Sequence, residues 1–207
     1  MFRMEIPTTF VESVSFVQKI FTDVEEEYDA LLHLMTLSLD WVWRRRLLSG
    51  ITSSRRLSIL DLACGTGLVT LQLSRRITPE SLAVGLDLSP AMLKVAKRKR
   101  LRSRPGNSME FVRAAGEFLP FRDEVFNYVT VGLALRNFGD KSGIFRETLR
   151  VILPSGWFLS VDFVRIRSAV VGRLYTFHIF HVLPALGSLV SRYWHRTLVY
   201  LANSIQV

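Results

Sequence analysis

Leu60-Asp61-Leu62-Ala63-Cys64-Gly65-Thr66-Gly67 is the stretch on which the reading of this chain turns. It closes a short apolar run, Leu57–Ala63, and opens a helical stretch, Leu68–Arg76. Gly65 and Gly67 allow backbone dihedrals that a β-carbon resists, so the chain can turn sharply between strand and helix. A helix that starts there presents unpaired N–H groups at its first turn. Apolar run, glycine turn and helix together form half of a β-α-β unit.

The rest of the chain continues that alternation. Leu82–Asp87 is a second apolar run, followed by Ser89-Pro90, which reads as an N-cap and a proline at the first helical position. Met109–Arg113, Val125–Val131 and Trp157–Val164 are further strand candidates, with a helical stretch near Lys141–Val151 before the last. Strands alternating with helices predict an α/β fold with a doubly wound, mostly parallel sheet, whose ligand loops lie at the carboxyl ends of the strands. Ahead of it, residues 10–48 look helical, with Leu31, Leu32, Met35, Leu39, Val42 and Trp43 near helical spacing, and Gly50 and Thr52–Ser54 form a polar break. After Val164 no further strand is legible. Gly172–Ser191 is aromatic and aliphatic, and Tyr193–Ile205 has a helical pattern. The expected divisions are a helical extension over residues 1–50, an α/β core over 51–165 and a helical lid over 166–207.

Composition narrows the class. With 207 residues, 49% hydrophobic and 22% charged, the chain can bury a core and is not disordered. A single cysteine, Cys64, excludes an internal disulfide framework and a multi-cysteine zinc site, and fits a reducing, cytoplasmic setting. No repeat period is present. Mean hydropathy is +0.24, yet the N-terminus carries Glu5 and Glu12 and does not read as a signal peptide. The uncharged run between Arg173 and Arg192 holds His178, His181, Pro184 and Gly187, which favours surface contact over a membrane span. Net charge is +9, while residues 1–50 have more acidic than basic residues, so the basic excess belongs to the remainder and suits a polyanionic partner.

Asp87 stands twenty residues beyond Gly67, at the end of the second run, where a carboxylate accepts both hydroxyls of a ribose. A dinucleotide fingerprint wants a third glycine at position 70, and Thr70 is there instead. Asp61, four residues before the first glycine, suits a cationic amino group. Ribose plus ammonium, without a pyrophosphate, describes S-adenosylmethionine (SAM) better than NAD.

These residues resemble a class I SAM-dependent methyltransferase, and specifically the ubiquinone/menaquinone biosynthesis C-methyltransferase family. The likeness runs from about Val17 to Ile205. It includes Phe21, Tyr28-Asp29 and Leu34-Met35-Thr36, then Leu60–Gly67, Gly85–Leu93, Glu117 with Leu119-Pro120-Phe121, and Leu135-Arg136-Asn137. Leu153-Pro154-Ser155-Gly156, Leu183-Pro184, Gly187-Ser188 and Tyr200-Leu201-Ala202 with Ser204-Ile205 complete it. The glycine motif is common to very many methyltransferases; the Leu-Arg-Asn and Tyr-Leu-Ala pieces are more specific. The resemblance implies a SAM site made of Asp61, Gly65, Thr66, Gly67, Thr70, Asp87, Leu88, Ala115, Gly116 and Gly132, with no metal. It implies Tyr28, Arg136 and Asn137 around a quinol ring, and methyl transfer to a ring carbon ortho to a hydroxyl. Arg136 is then expected to stabilise the phenolate, with Tyr28 and Asn137 positioning a water that takes the proton.

The chain departs from the family at several places. Ala115 replaces an Asp or Asn that meets the adenine amino group. Leu32, His33, Asp40 and Trp41 replace residues typical of the N-terminal motif, and Asn127 stands where Asp is frequent. The family continues past Ile205 with a helix and a closing strand pair, whereas this chain stops at Val207, so either the sequence is a truncated form or a second copy or another chain covers the open sheet edge. The basic run Lys94–Arg104 reads as a solvated helix face, His178 and His181 as structural or pocket residues, and Cys64 as a small turn residue. Phe177, Phe180, Val182, Leu183, Leu186 and Leu189 read equally as core or as a lid over an isoprenoid tail, with Arg165, Arg167 and Arg173 on anionic headgroups. The expected function is C-methylation of a prenylated quinol or similar lipophilic phenol, peripheral to a membrane. RNA or another small molecule as acceptor, and a non-catalytic partner subunit, are the alternatives, nucleic acid being disfavoured because no stacking aromatics interleave the basic run.

Overall fold

Among the described residues five strands line up in the order β3-β2-β1-β4-β5, every neighbouring pair parallel. They are β1 (Ser58–Leu62), β2 (Leu82–Asp87), β3 (Met109–Arg113), β4 (Phe126–Gly132) and β5 (Ile152–Val161). The computed structural model describes residues 16, 18–51, 56–103, 108–163 and 166–205. The first fifteen residues with Glu5 and Glu12, Val17, the break at residues 52–54, Arg104, Val164 and Arg165 lie outside the described residues.

Alternation along the strands decides which face each side chain joins. Leu60, Leu62, Val84, Leu86, Val129 and Val131 form one core with Ile144 and Val151. Ile144 belongs to α5 (Lys141–Val151). Ile59, Ala83 and Tyr128 face the other way, onto Leu47, Leu48, Val69 and Leu73. Those four come from α2 (Asp40–Ser49) and α3 (Leu68–Ser74). Burial on both faces is why the strands read as plain apolar runs. α4 (Pro90–Arg102) starts as expected: Ser89 caps it by accepting from the Met92 N–H, and Pro90 sits in the first turn.

Several boundaries differ from the sequence reading. α3 ends at Ser74, before Arg76. β5 starts at Ile152 and runs through Pro154, with an irregular register opposite Phe126 and Tyr128. An edge strand tolerates a proline that a central strand does not. Among the described residues β5 has β4 as its one strand neighbour, and Trp157 is 63% exposed.

The chain falls into two compact units, Trp41–Asp162 and a second composed of Met1–Asp40 with Phe163–Val207. In the second unit, the N-terminal helix is interrupted. α1 (Tyr28–Met35) ends in a turn where Leu37 and Ser38 take positive φ, before α2 begins at Asp40. That turn is closed by polar groups: Asp40 is fully buried, meets His33 Nδ1 at 2.6 Å and accepts from the Thr36 hydroxyl at 3.1 Å. His33 and Asp40, two departures from the family pattern, thus hold a turn together.

The segment from Gly172 to Ser191 is more regular than its sequence suggests. α6 (Ala169–Phe177), a π-turn (His178–Val182) and α7 (Leu183–Val190) form one helical run, packed on α8 (Arg192–Ser204). Pro184 falls in the first turn of α7, where its missing N–H costs nothing. Ala169–Val190, which overlaps the uncharged run between Arg173 and Arg192, is long and apolar enough to cross a membrane by length and composition alone.

Candidate cofactor site

The fold brings the carboxyl ends of β2, β1 and β4 side by side. The chain winds outward to β3 on one side of β1 and to β5 on the other, which makes the β1–β4 boundary the switch point of the sheet. Asp61 lies on β1 there, in register with Gly85 of β2 and Thr130 of β4. Its carboxylate is 1% exposed and accepts from the Thr70 hydroxyl at 2.6 Å and the Thr130 hydroxyl at 3.1 Å. Burial pushes its carboxyl up to about 7, against the pull of those hydroxyls. Among the described residues no basic side chain forms an ion pair with it.

Asp87 ends β2. Its Oδ2 accepts from the Gly65 N–H and its Oδ1 from the Ser89 N–H, both at 2.8 Å. Burial raises this carboxyl too, opposed by the amides of Ser89, Gly65 and Leu88. Three amides on about four lone-pair sites leave room for one further donor, such as a ligand hydroxyl. The acid therefore shapes the glycine turn and is also available to a ligand beside it.

The turn works by shape more than by its amides. Ala63, Gly65 and Gly67 all take positive φ. The Gly65 N–H is spent on Asp87, and the Gly67 N–H on the Cys64 carbonyl at 2.9 Å. A β-carbon on Gly65 would meet nothing within 4 Å, so that side of the turn faces open space. At Gly67, Gly116 and Gly132 the missing side chain serves packing: a β-carbon would sit 3.0 Å from Ala96 and Phe111, 2.6 Å from Ile144 and 3.0 Å from Val69, respectively.

Thr66 is buried within the turn, and Thr70 is fully buried with its hydroxyl committed to Asp61. Leu88 is half-buried, its carbonyl accepting from Arg113 Nε. Ala115 lies in the loop after β3, where its carbonyl accepts from the Phe118 N–H. That loop is clamped to α5: Glu147 accepts from the Leu119 N–H, and Arg150 donates to the carbonyls of Leu119 and Phe121. The Arg150 guanidinium beside Glu147 holds its carboxyl down to about 2. Burial, with Asp87 and Asp61 nearby, pushes the Cys64 thiol well up, opposite to what a nucleophile needs.

Arg136 and Asn137 share the short turn Leu135–Asn137 after β4. Arg136 Nη1 donates to the Leu133 carbonyl at 2.5 Å and to Asp162 Oδ1 at 2.6 Å, while its backbone N–H donates to Asp162 Oδ2 at 3.0 Å. Tyr28 belongs to the other unit, where its ring meets Phe21 edge-on at 5.4 Å. That unit also holds an open, mostly apolar cleft of about 710 Å³ lined by Phe180, Pro184, Ala185, Val199 and Ala202, with His181 and His195 among its polar groups. Sequence reading missed Thr130 and Asp162. Asp162 had a readable signal, since it follows a strand end as Asp87 closes one.

A buried acid with no basic partner among the described residues, near a second strand-end acid and a glycine turn with open space beside Gly65, fits a ligand that carries both an ammonium and a ribose, as SAM does. Comparison with known proteins agrees. The profile of the ubiE/COQ5 methyltransferase family matches residues 8–207. The ubiquinone/menaquinone biosynthesis C-methyltransferase UbiE of Hahella chejuensis is 35% identical, over 98% of this chain and 80% of that one. Its namesake from Idiomarina loihiensis is 36% identical, over 93% and 76%. Among solved structures, YcgJ of Bacillus subtilis superposes with a TM-score of 0.56 at 21% identity, covering 71% of this chain and 66% of that one. A SAM-dependent methyltransferase from Aquifex aeolicus gives 0.54 at 16%, covering 61% and 66%; these two likenesses concern the fold. The chain is a SAM-dependent methyltransferase and belongs to the ubiE/COQ5 methyltransferase family.

Proposed function

We propose that this enzyme methylates a ring carbon of a lipophilic phenol or prenylated quinol, ortho to a hydroxyl, as a step in ubiquinone or menaquinone formation. The observation that carries the cofactor half is Asp61, a buried carboxylate with two hydroxyl donors and no cationic partner among the described residues. In this reading Asp61 receives the ammonium of the methionine end, with Thr70 and Thr130 holding it in place. Asp87 accepts the ribose hydroxyls, Gly65, Thr66 and Gly67 bend around the sulfur end, and Leu88, Ala115, Gly116 and Gly132 wall the remainder. SAM supplies a methyl group on a sulfonium, whose sulfur leaves with the bonding electron pair.

The chain's own residues make the ring nucleophilic. Arg136, fixed by Asp162 and the Leu133 carbonyl, stabilises the phenolate as the hydroxyl loses its proton. Asn137 positions the water that takes that proton. The enzyme works in the cytoplasm at a membrane face, and the outer edge of β5 is where a second copy or another chain would pair. Nucleic acid is not an acceptor in this reading.

The test is incubation with methyl-labelled SAM and a lipid extract. Label entering the organic phase is the expected result, and its absence with SAM bound removes the acceptor assignment. Arg136→Ala is expected to lower turnover roughly 100- to 1,000-fold, as loss of a transition-state donor does, with unchanged affinity for S-adenosylhomocysteine. Unchanged turnover removes Arg136 from the mechanism.

A further inference from the structure

The helical run Ala169–Val190 has two unlike faces. Ile179, Leu183, Pro184 and Gly187 are buried. At Gly187 a β-carbon would sit 2.9 Å from Leu198 Cδ1 and 3.0 Å from the His195 backbone, so α7 lies tightly on α8. On the other side Val170, Leu174, Phe177, Leu186, Leu189 and Val190 are exposed, Leu174 at 67% and Leu189 at 84%. Val170, Leu174 and Phe177 fall at i, i+4 and i+7, one stripe of the helix. Only 17% of the apolar window is buried.

Charge on this part of the chain has one sign. From Phe163 to Val207 there are five arginines and no Asp, Glu or Lys. Arg196 is engaged by Asp23 at 3.8 Å, while Arg167, Arg173 and Arg192 are exposed. An apolar stripe bordered by cations alone matches the boundary of an anionic bilayer, where acyl chains meet phosphates. It does not match water, which rejects so much contiguous apolar surface.

We propose that the outer face of α6 and α7 docks on an anionic lipid bilayer with the helical run lying in the plane of the interface. A spanning orientation would have to strip Leu183, Pro184 and Gly187 from α8 and carry Arg173 into hydrocarbon, which is costly. The surface deepens the reading above, because a lipophilic acceptor resides in such a bilayer, and it rests on that reading only for the identity of the acceptor.

The experiment is sedimentation of the full chain with phosphatidylcholine vesicles, with and without phosphatidylglycerol, at low and high salt. Binding to the anionic vesicles, reduced by salt, is expected. Arg167→Gln and Arg173→Gln should each weaken it roughly fivefold, and the pair Leu174→Glu with Leu189→Glu should abolish it while the thermal midpoint stays in place. Four outcomes overturn the proposal: no binding to anionic vesicles at low salt, equal binding by the variants, resistance to alkaline extraction as for a spanning helix, or self-association through this face that Leu174→Glu breaks. If vesicles are not bound while methyl transfer in detergent persists, this inference falls alone. If vesicles are bound and no methyl group is transferred, the catalytic reading falls and the surface stands.

Discussion

In the sheet unit β1, β2 and β4 bury most of their hydrophobic side chains, and Asp61 among them is tied to Thr70 and Thr130; along Ala169–Val190 much of the hydrophobic surface lies outside. Both regions are apolar in sequence. The strands obtain their burial from helices on two faces, while the helical run packs one face on α8. Similar residue types thus reach different degrees of burial, and the bilayer proposed above would supply to the helices the covering that the sheet obtains from its own chain.

The contrast can be broken most forcefully at Leu183, on the inner face of the run. Leu183→Ala should cost about 2–5 kcal/mol, the range for deleting a fully buried leucine. A urea midpoint unchanged by that variant would mean α7 does not pack on α8. In the sheet unit the matching test adds volume. A β-carbon on Gly85 would lie 2.7 Å from the Phe111 ring and 2.8 Å from Thr70 Oγ1. Gly85→Ala should therefore cost about 1–3 kcal/mol and weaken SAM binding through Thr70. Phe111→Leu in the same chain should recover part of the stability and less of the binding.

A pH scan sharpens the comparison from the sheet side. The Asp61 carboxyl is raised in the folded state to about 7 from an ordinary 3.8, so the folded chain holds the proton more tightly. Its stabilising contribution is complete below about pH 4 and is lost as pH rises toward 7. The thermal midpoint of the ligand-free protein should fall across that window, and S-adenosylhomocysteine should flatten the fall. Asp61→Asn should remove most of the slope, leaving the part due to Asp87, which is raised in the same direction. The smallest effect belongs to the outer helix face. Leu174→Glu should change stability by no more than about 0.5 kcal/mol, and a larger loss would show the stripe to be core.

The strands were legible because parallel strands buried on both faces leave uninterrupted apolar runs. Asp61 and Asp87 were legible because each stands at a strand end beside the glycine turn. Thr130 was not, because its place beside Asp61 is set by the β1–β4 register across 69 residues of sequence. Asp162 was passed over because its partner, Arg136, was read as a group facing substrate and not as one needing an anchor. The helical run was undervalued because Pro184 and Gly187 count as breakers in isolation. In the fold one occupies a first turn and the other a contact too close for a side chain.

The burial of Asp61 has a consequence for ligand uptake. Desolvation, opposed by the Thr70 and Thr130 hydroxyls, raises its carboxyl to about 7. If this acid takes the ammonium of the methyl donor, docking expels a proton, and the grip on the donor should tighten as the medium turns from acid to neutral.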